Sequence, residues 1–197
     1  MDLFSYILAH DSGFAPNPYH GFCTLACCKP VIRRVAQVGD WVMGTASKPD
    51  SLKLIYIMKV ARALPFDTYF NDPQYRHKKN SPKNPLGDNI YKPVGSGKFK
   101  RMPNPLHGPR QELRDLKTNR VLISDHFYYF GDRAPELAPD FGPLIHSTQG
   151  HKRIKPGHIH YEGFLSLLEW LQDNFRPGIH GKPRLKSPVQ KRAVKCS

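Results

Sequence analysis

Residues 4–28 read FSYILAHDSGFAPNPYHGFCTLACC. Phe4, Tyr6, Ile7 and Leu8 predict a buried strand. The strand feeds a loop that carries His10, Asp11, Ser12, Asn17, Tyr19 and His20 between Gly13, Pro16, Pro18 and Gly21. Glycine and proline fix irregular backbone that neither helix nor sheet supplies. A hydrophobic strand delivering ionisable, amide and aromatic groups is a common way to mount a site on a scaffold. The plain structural alternative is a surface loop in which Asp11 makes an Asx turn and His20 is half buried.

Working outward, the chain of 197 residues is long enough for one domain with a real core, although 19 prolines and a hydrophobic fraction of 39% make it rich in loops. Its net charge is +14 and its isoelectric point about 9.8. Such an excess repels itself and usually serves a polyanion, with nucleic acid ahead of an anionic membrane because no basic amphipathic helix is evident. No apolar run is long enough to span a bilayer. MDLFSYILAHD carries Asp2 and no basic n-region, so no signal peptide is expected and the expected location is cytoplasmic. Cys23, Cys27, Cys28 and Cys196 form no convincing disulfide framework or zinc spacing. The first three read as reduced, buried thiols, and no metal is expected.

Residues 29–38 predict a short helix opened by Pro30. Residues 41–45 and 52–61 predict a β-pair, and 65–71 a helical turn with Phe66, Tyr69 and Phe70 inward. Residues 74–110 change character: basic groups interleave with Pro and Gly against Asp88 alone, as a long irregular insertion. Residues 120–130 predict a strand with Asp125-His126 inside it. Residues 145–160 carry four histidines with Lys152, Arg153 and Lys155. Residues 161–175 predict the clearest helix, with Phe164, Leu165, Leu168 and Leu171 in its apolar stripe. One domain over 1–175 and a basic, unstructured tail over 176–197 are expected.

The chain has no phosphate-binding Gly-rich loop, dinucleotide fingerprint, G-x-S-x-G elbow or zinc-deaminase pair, and no cofactor is expected. A base-directed hydrolase needs a cationic groove, aromatic walls and a carboxylate to place water or steady a sugar cation. Asp11 is the first choice for that carboxylate and Asp125 the second. His10, His20 or His126 would shuttle a proton. Phe14, Tyr19, Phe22, Trp41 and Tyr128 would stack on the base, and Asn17 would read its edge. Arg76, Lys78, Lys79, Lys98, Lys100, Arg101, Lys152 and Arg153 would meet the phosphates.

Three resemblances bear on this. Strand, Gly/Pro loop, helix, Gly39-Asp40-Trp41-Val42 and Met58-Lys59-Val60 resemble the PUA-like superfamily, which includes EVE and ASCH domains. This implies an α+β fold, a PUA-like small β-barrel or curved mixed sheet with flanking helices and long basic loops, and a cleft for RNA or modified bases. HDSGFAPNPYHGFCTLACCKPVIRR, VGDWVMGT, IYIMKV and SDHFYYFG resemble the nucleotide-modification-associated domains, from bacterial and phage systems that make or attack hypermodified DNA bases. Asn17-Pro18-Tyr19-His20-Gly21 resembles the water-activating loop of uracil-DNA glycosylases, whose mismatch-specific relatives carry Asn-Pro there. Together they imply a DNA glycosylase acting on a hypermodified base such as glucosylated hydroxymethylcytosine. A non-catalytic reader of modified bases and an RNA-binding module are the alternatives.

Overall fold

A computed structural model describes residues 1–50, 52–81, 84–146, 148 and 150–185. The opening strand β1 (Leu3–Ile7) runs into the polar loop, which leads to β2 (Cys23–Leu25) and α1 (Pro30–Val35). Pro30 occupies the first turn of α1, where a backbone N–H has no helical partner to lose. β3 (Trp41–Thr45) and β4 (Leu54–Lys59) form the expected antiparallel pair, Val42 opposite Met58. The path resumes as β5 (Arg62–Leu64) and enters α2 (Phe66–Asn71), whose Phe66, Tyr69 and Phe70 are buried as expected.

The basic insertion is more ordered than its composition predicts. A 3-10 turn (Pro73–Lys78) is followed by the hairpin β6 (Tyr91–Pro93) and β7 (Phe99–Arg101), then by α3 (Pro109–Asp115). Tyr75, Ile90 and Tyr91 anchor it in a core cluster with Phe14, Cys27 and Phe66. The strand predicted at 120–130 is interrupted at Asp125 into β8 (Val121–Ser124) and β9 (His126–Tyr129). β10 (Lys152–Ile154), α4 (Tyr161–Asn174) and β11 (Gly178–Ile179) complete the described fold.

Six strands make a mixed sheet in the order β10-β1-β3-β4-β9-β11, and three make a second in the order β2-β8-β5. β4 pairs with β9 in the first sheet and β5 with β8 in the second. Two adjacent chain paths therefore bend together from one sheet to the other. The fold is α+β and mixed, but among the described residues the sheets do not close into a barrel, because β10, β11, β2 and β5 remain edges.

Alternation sorts the side chains of the larger sheet by face. Phe4, Tyr6, Val42, Met58, Phe127 and Tyr129 face a cluster that includes Ile32 of α1. Leu3, Trp41, Met43, Ile57 and Tyr128 face the other way, onto Phe164, Leu167, Leu168 and Leu171 of α4. Each of those four helix residues contributes roughly 1.5–3 kcal/mol by leaving water.

The expected unstructured tail is corrected over 176–185. β11 pairs in parallel with β9, the backbone N–H of Asp132 bonds Lys182 O at 2.7 Å, and Leu185 N bonds Asp11 O at 2.9 Å. The basic residues from Lys186 onward lie outside the described residues. No helix among the described residues is long and apolar enough to cross a membrane.

Candidate active site

A cleft of about 830 Å³ opens where β1 ends and α1 begins. Tyr6, Leu8 and Phe14 give it apolar and aromatic wall, and His10, Lys29 and Arg114 give it polar and cationic wall. Its size lies within the range of roughly 300–1,000 Å³ usual for small-molecule sites.

One side of the cleft carries a chain of hydrogen bonds. Cys28 Sγ lies 3.4 Å from His107 Nε2, and His107 Nδ1 lies 2.8 Å from Asp115 Oδ2. An ionised carboxylate only accepts, so Nδ1 donates to Asp115 and Nε2 faces the sulfur. Asp115 is fully buried. It also accepts the Cys28 backbone N–H at 2.7 Å and the Tyr91 hydroxyl at 2.9 Å. Burial alone would raise its pKa, but His107 and these donors hold it below the ordinary carboxylate range. Burial likewise opposes charge on His107, yet its bonds to Asp115 and Cys28 push it up to about 9.

The sequence builds this geometry locally. Cys28 and Lys29 sit in the left-handed region, φ 63° and 40°, at the turn between β2 and α1. Non-glycine residues adopt such angles at a cost of about 1–3 kcal/mol, and strain of this kind gathers at functional sites. The buried Arg33 guanidinium donates to Cys28 O at 2.8 Å, Asp115 O at 2.6 Å and Arg120 O at 2.7 Å, tying the turn to α3. Asn104 Oδ1 accepts the His107 N–H at 3.0 Å, Arg101 Nη1 donates to His107 O at 2.9 Å, and the Phe14 ring packs 4.7 Å from the imidazole.

Cys27, His107 and Asp115 are the one group among the described residues that could hold a metal ion, their donor atoms lying within 4.8 Å of one another. Those atoms already have partners, since Cys27 Sγ donates to Asp88 O at 3.7 Å and the Asp115 oxygens are taken up as above. The donor set fits a hydrogen-bonded chain better than a coordination shell.

Of the residues expected to form the site, the structure brings His10 and Phe14 to the cleft wall. Asp11 is buried beside it. Its carboxylate accepts from Tyr129 Oη at 2.6 Å, Arg184 N at 3.1 Å and Gly13 N at 3.3 Å, the last of these the Asx contact of the plain alternative. Burial raises its pKa against those donors. Asn17 is buried too: Nδ2 donates to Leu86 O at 2.8 Å and Gly13 O at 3.2 Å, while Oδ1 accepts from Lys78 at 2.7 Å, so its amide is spent inside the protein. His20 is exposed and stacks on His77, ring centroids 5.5 Å apart, and Tyr19 lies beside it. Phe22 meets Tyr75 edge-on at 5.4 Å.

Asp125 does not line the cleft. It is exposed at the break between β8 and β9 and pairs with Arg62 at 3.6 Å. Trp41, His126 and Tyr128 are packed on one another, and Trp41 and Tyr128 belong to the α4 side of the sheet, away from the cleft. Among the cations, Lys78 is turned inward and 1% exposed. Lys152 donates to Pro143 O at 2.7 Å, Arg153 pairs with Asp2 at 2.6 Å, Arg101 pairs with Glu112 at 3.4 Å, and Lys79 lies over the Phe70 ring at 4.3 Å. Arg76, Lys98 and Lys100 are exposed.

Sequence reasoning missed Cys28, His107 and Asp115. It grouped Cys28 with the buried Cys23 and Cys27, whereas Cys28 is only partly covered and reaches the cleft. The available signal was a cysteine at a strand-to-helix turn, just before Pro30. Its histidine and carboxylate lie far along the chain, as nucleophile partners commonly do.

A sequence model of one protein family, described as nucleotide modification associated domain 2, matches residues 1–190. The chain belongs to the nucleotide modification associated domain 2 family. No curated protein and no solved structure matches it. Membership in nucleotide modification associated domain 2 sets the cleft in a nucleotide-modification context, and the match spans every element that lines it.

Proposed function

We propose that the protein is an enzyme acting on a modified base of DNA, with the base swung out of the helix into the cleft between β1 and α1. The observation that carries this reading is the cleft itself: it has nucleotide-sized volume, Tyr6 and Phe14 as aromatic wall, Lys29 and Arg114 as cationic wall, and the Cys28–His107–Asp115 chain along one side. A flipped base is held by stacking and hydrogen bonding. The net charge of +14 supplies attraction for the phosphates, and Arg76, Lys98 and Lys100 are among the exposed cations of the insertion that would meet them.

Excision of the base by a glycosylase mechanism is the finer form of this reading. It needs a group near the sugar to place water or steady the cation. Asp11 is spent on Tyr129, Gly13 and Arg184, so the geometry favours chemistry on the base or its substituent over hydrolysis directed by Asp11.

The test is to incubate the protein with DNAs bearing different modified bases, glucosylated hydroxymethylcytosine and an N-acylated base among them, and with unmodified DNA. Strand breaks after alkali and the masses of released nucleosides are then measured. An altered nucleoside confined to the modified DNA is the expected result. Alkali-sensitive breaks would restore base excision. Retarded migration with unchanged DNA would reduce the protein to a reader, and retention of structured RNA alone would overturn the reading.

A further inference from the structure

We propose that Cys28 is a catalytic nucleophile, with His107 its general base and acid and Asp115 the residue that orients the imidazole, and that the group it attacks is an acyl or carbamoyl carbon borne as an amide or ester on the nucleobase. The inference rests on the reading of the cleft as a base site, and it adds the reacting atom and the class of bond broken.

Three observations carry it. The first is order: sulfur, imidazole and carboxylate are linked in series at 3.4 and 2.8 Å, the arrangement in which a base beside a nucleophile is held by a third group. The second is asymmetry of access. Asp115 is fully buried and His107 is 6% exposed, while Cys28 is partly exposed. Cys28 and His107 line the cleft and Asp115 does not, so the chain meets a ligand at its cysteine end. The third is charge. Arg114 Nη2 lies 3.4 Å from the sulfur, and Lys29 stands next to it in sequence and in the cleft wall. Both cations stabilise a thiolate and the oxyanion that forms after attack. The raised pKa of His107, reached despite burial, leaves the imidazole protonated at neutral pH beside that sulfur.

The reaction balances without redox change. Cys28 enters as the thiolate with the proton held on His107 Nε2, and the sulfur electron pair forms a C–S bond as the carbonyl π pair moves to oxygen. Collapse restores the carbonyl and breaks the C–N or C–O bond. The departing amine or alkoxide on the base takes the proton from His107. Water then attacks the thioester and gives a proton to His107. The C–S bond breaks, the acid leaves, and the thiolate–imidazolium pair is restored. The net change is hydrolysis of one amide or ester bond.

The experiment uses the full chain with p-nitrophenyl acetate and iodoacetamide as probes. Nitrophenolate release should show a burst, and peptide mass analysis should find the acetyl group on Cys28, removable by hydroxylamine. Cys28→Ala should abolish the burst. His107→Gln should slow both acetylation and alkylation of Cys28 at least 100-fold at pH 7. Should His107→Gln fail to fold, the wild-type alkylation profile decides: a rate that holds steady below pH 7 supports the assignment. A rate that climbs with a pKa near ~8.5, as for a free thiol, overturns it, as does acetylation spread over lysines or undiminished in Cys28→Ala. Retention of modified phage DNA by Cys28→Ala is scored separately. Binding without Cys28 reactivity removes the nucleophile and keeps the base site. Reactivity without binding of modified DNA removes the base site and keeps the nucleophile.

Discussion

Lys78→Met separates an internal strut from a phosphate contact. The Lys78 ammonium spends its three hydrogens on Asn17 O at 2.9 Å, Asn17 Oδ1 at 2.7 Å and Phe22 O at 2.7 Å, fastening the basic insertion to the loop between β1 and β2. Methionine fills similar space and donates nothing, so three acceptors lose their partner at about 1–3 kcal/mol each, some 6 kcal/mol together. Against this, burial pushes Lys78 from its ordinary 10.5 down to about 8, so removing the charge relieves about 3 kcal/mol. The balance is a loss of about 3 kcal/mol, or a fall in Tm of roughly 6–12 °C for a chain of this size. The pH dependence has a definite sign. A depressed native pKa gives stability that is fully present above 10.5 and is lost as pH falls through about 8. The gap between wild type and Lys78→Met in thermal and urea unfolding should therefore widen as pH rises across that window. An unchanged Tm together with a flatter salt dependence of DNA binding would refute the strut and return Lys78 to the phosphate surface.

Asp11→Asn should lower stability by roughly 1–3 kcal/mol, through weaker bonds to Tyr129 and the backbone of Arg184, yet leave most activity on modified DNA; complete loss of turnover in a folded variant would make Asp11 catalytic after all. Replacing Lys98 and Lys100 together with Ser should weaken DNA binding and reduce the slope of log affinity against log salt by about 2, measured by fluorescence anisotropy over a salt series. His107, raised from 6.5 to about 9, contributes stability that is fully present below 6.5 and is lost as pH rises through about 9; unfolding of wild type and His107→Gln across that range should converge at the alkaline end. Gly181→Ala would drive a Cβ into Phe130 O, so limited proteolysis should cut 176–185 faster than in wild type, and equal protection would show that the segment yields without cost.

Much of the scaffold could be read from residues alone. Alternating patterns found β3 and β4, the stripe of Phe164, Leu168 and Leu171 found α4, and Pro30 marked α1. These signals are local, and local signals survive without knowledge of the fold. The interrupted strand was half legible, since Asp125 inside an apolar run is costly and the chain solves it by breaking the strand so that the carboxylate reaches Arg62 and water. The candidate site was read less well. Its emphasis fell on Asp11, Asn17 and His20: the first two are bonded inside the protein, and His20 is exposed and stacks on His77. The chain from Cys28 to His107 to Asp115 spans 87 positions between its ends, and its members look ordinary one at a time. Only tertiary placement shows that the third cysteine differs from its two neighbours.

The clasp at Asp11 bears on how the chain matures during translation. β1 is flanked by residues 41–45 and 152–154, and the loop after it is fastened by the backbone of Arg184 and Leu185. Contacts this distant in sequence form slowly. A nascent polypeptide leaving the ribosome therefore carries an unfinished mouth to its cleft until residue 185 has emerged, and the thiol beside it gains its final enclosure only then.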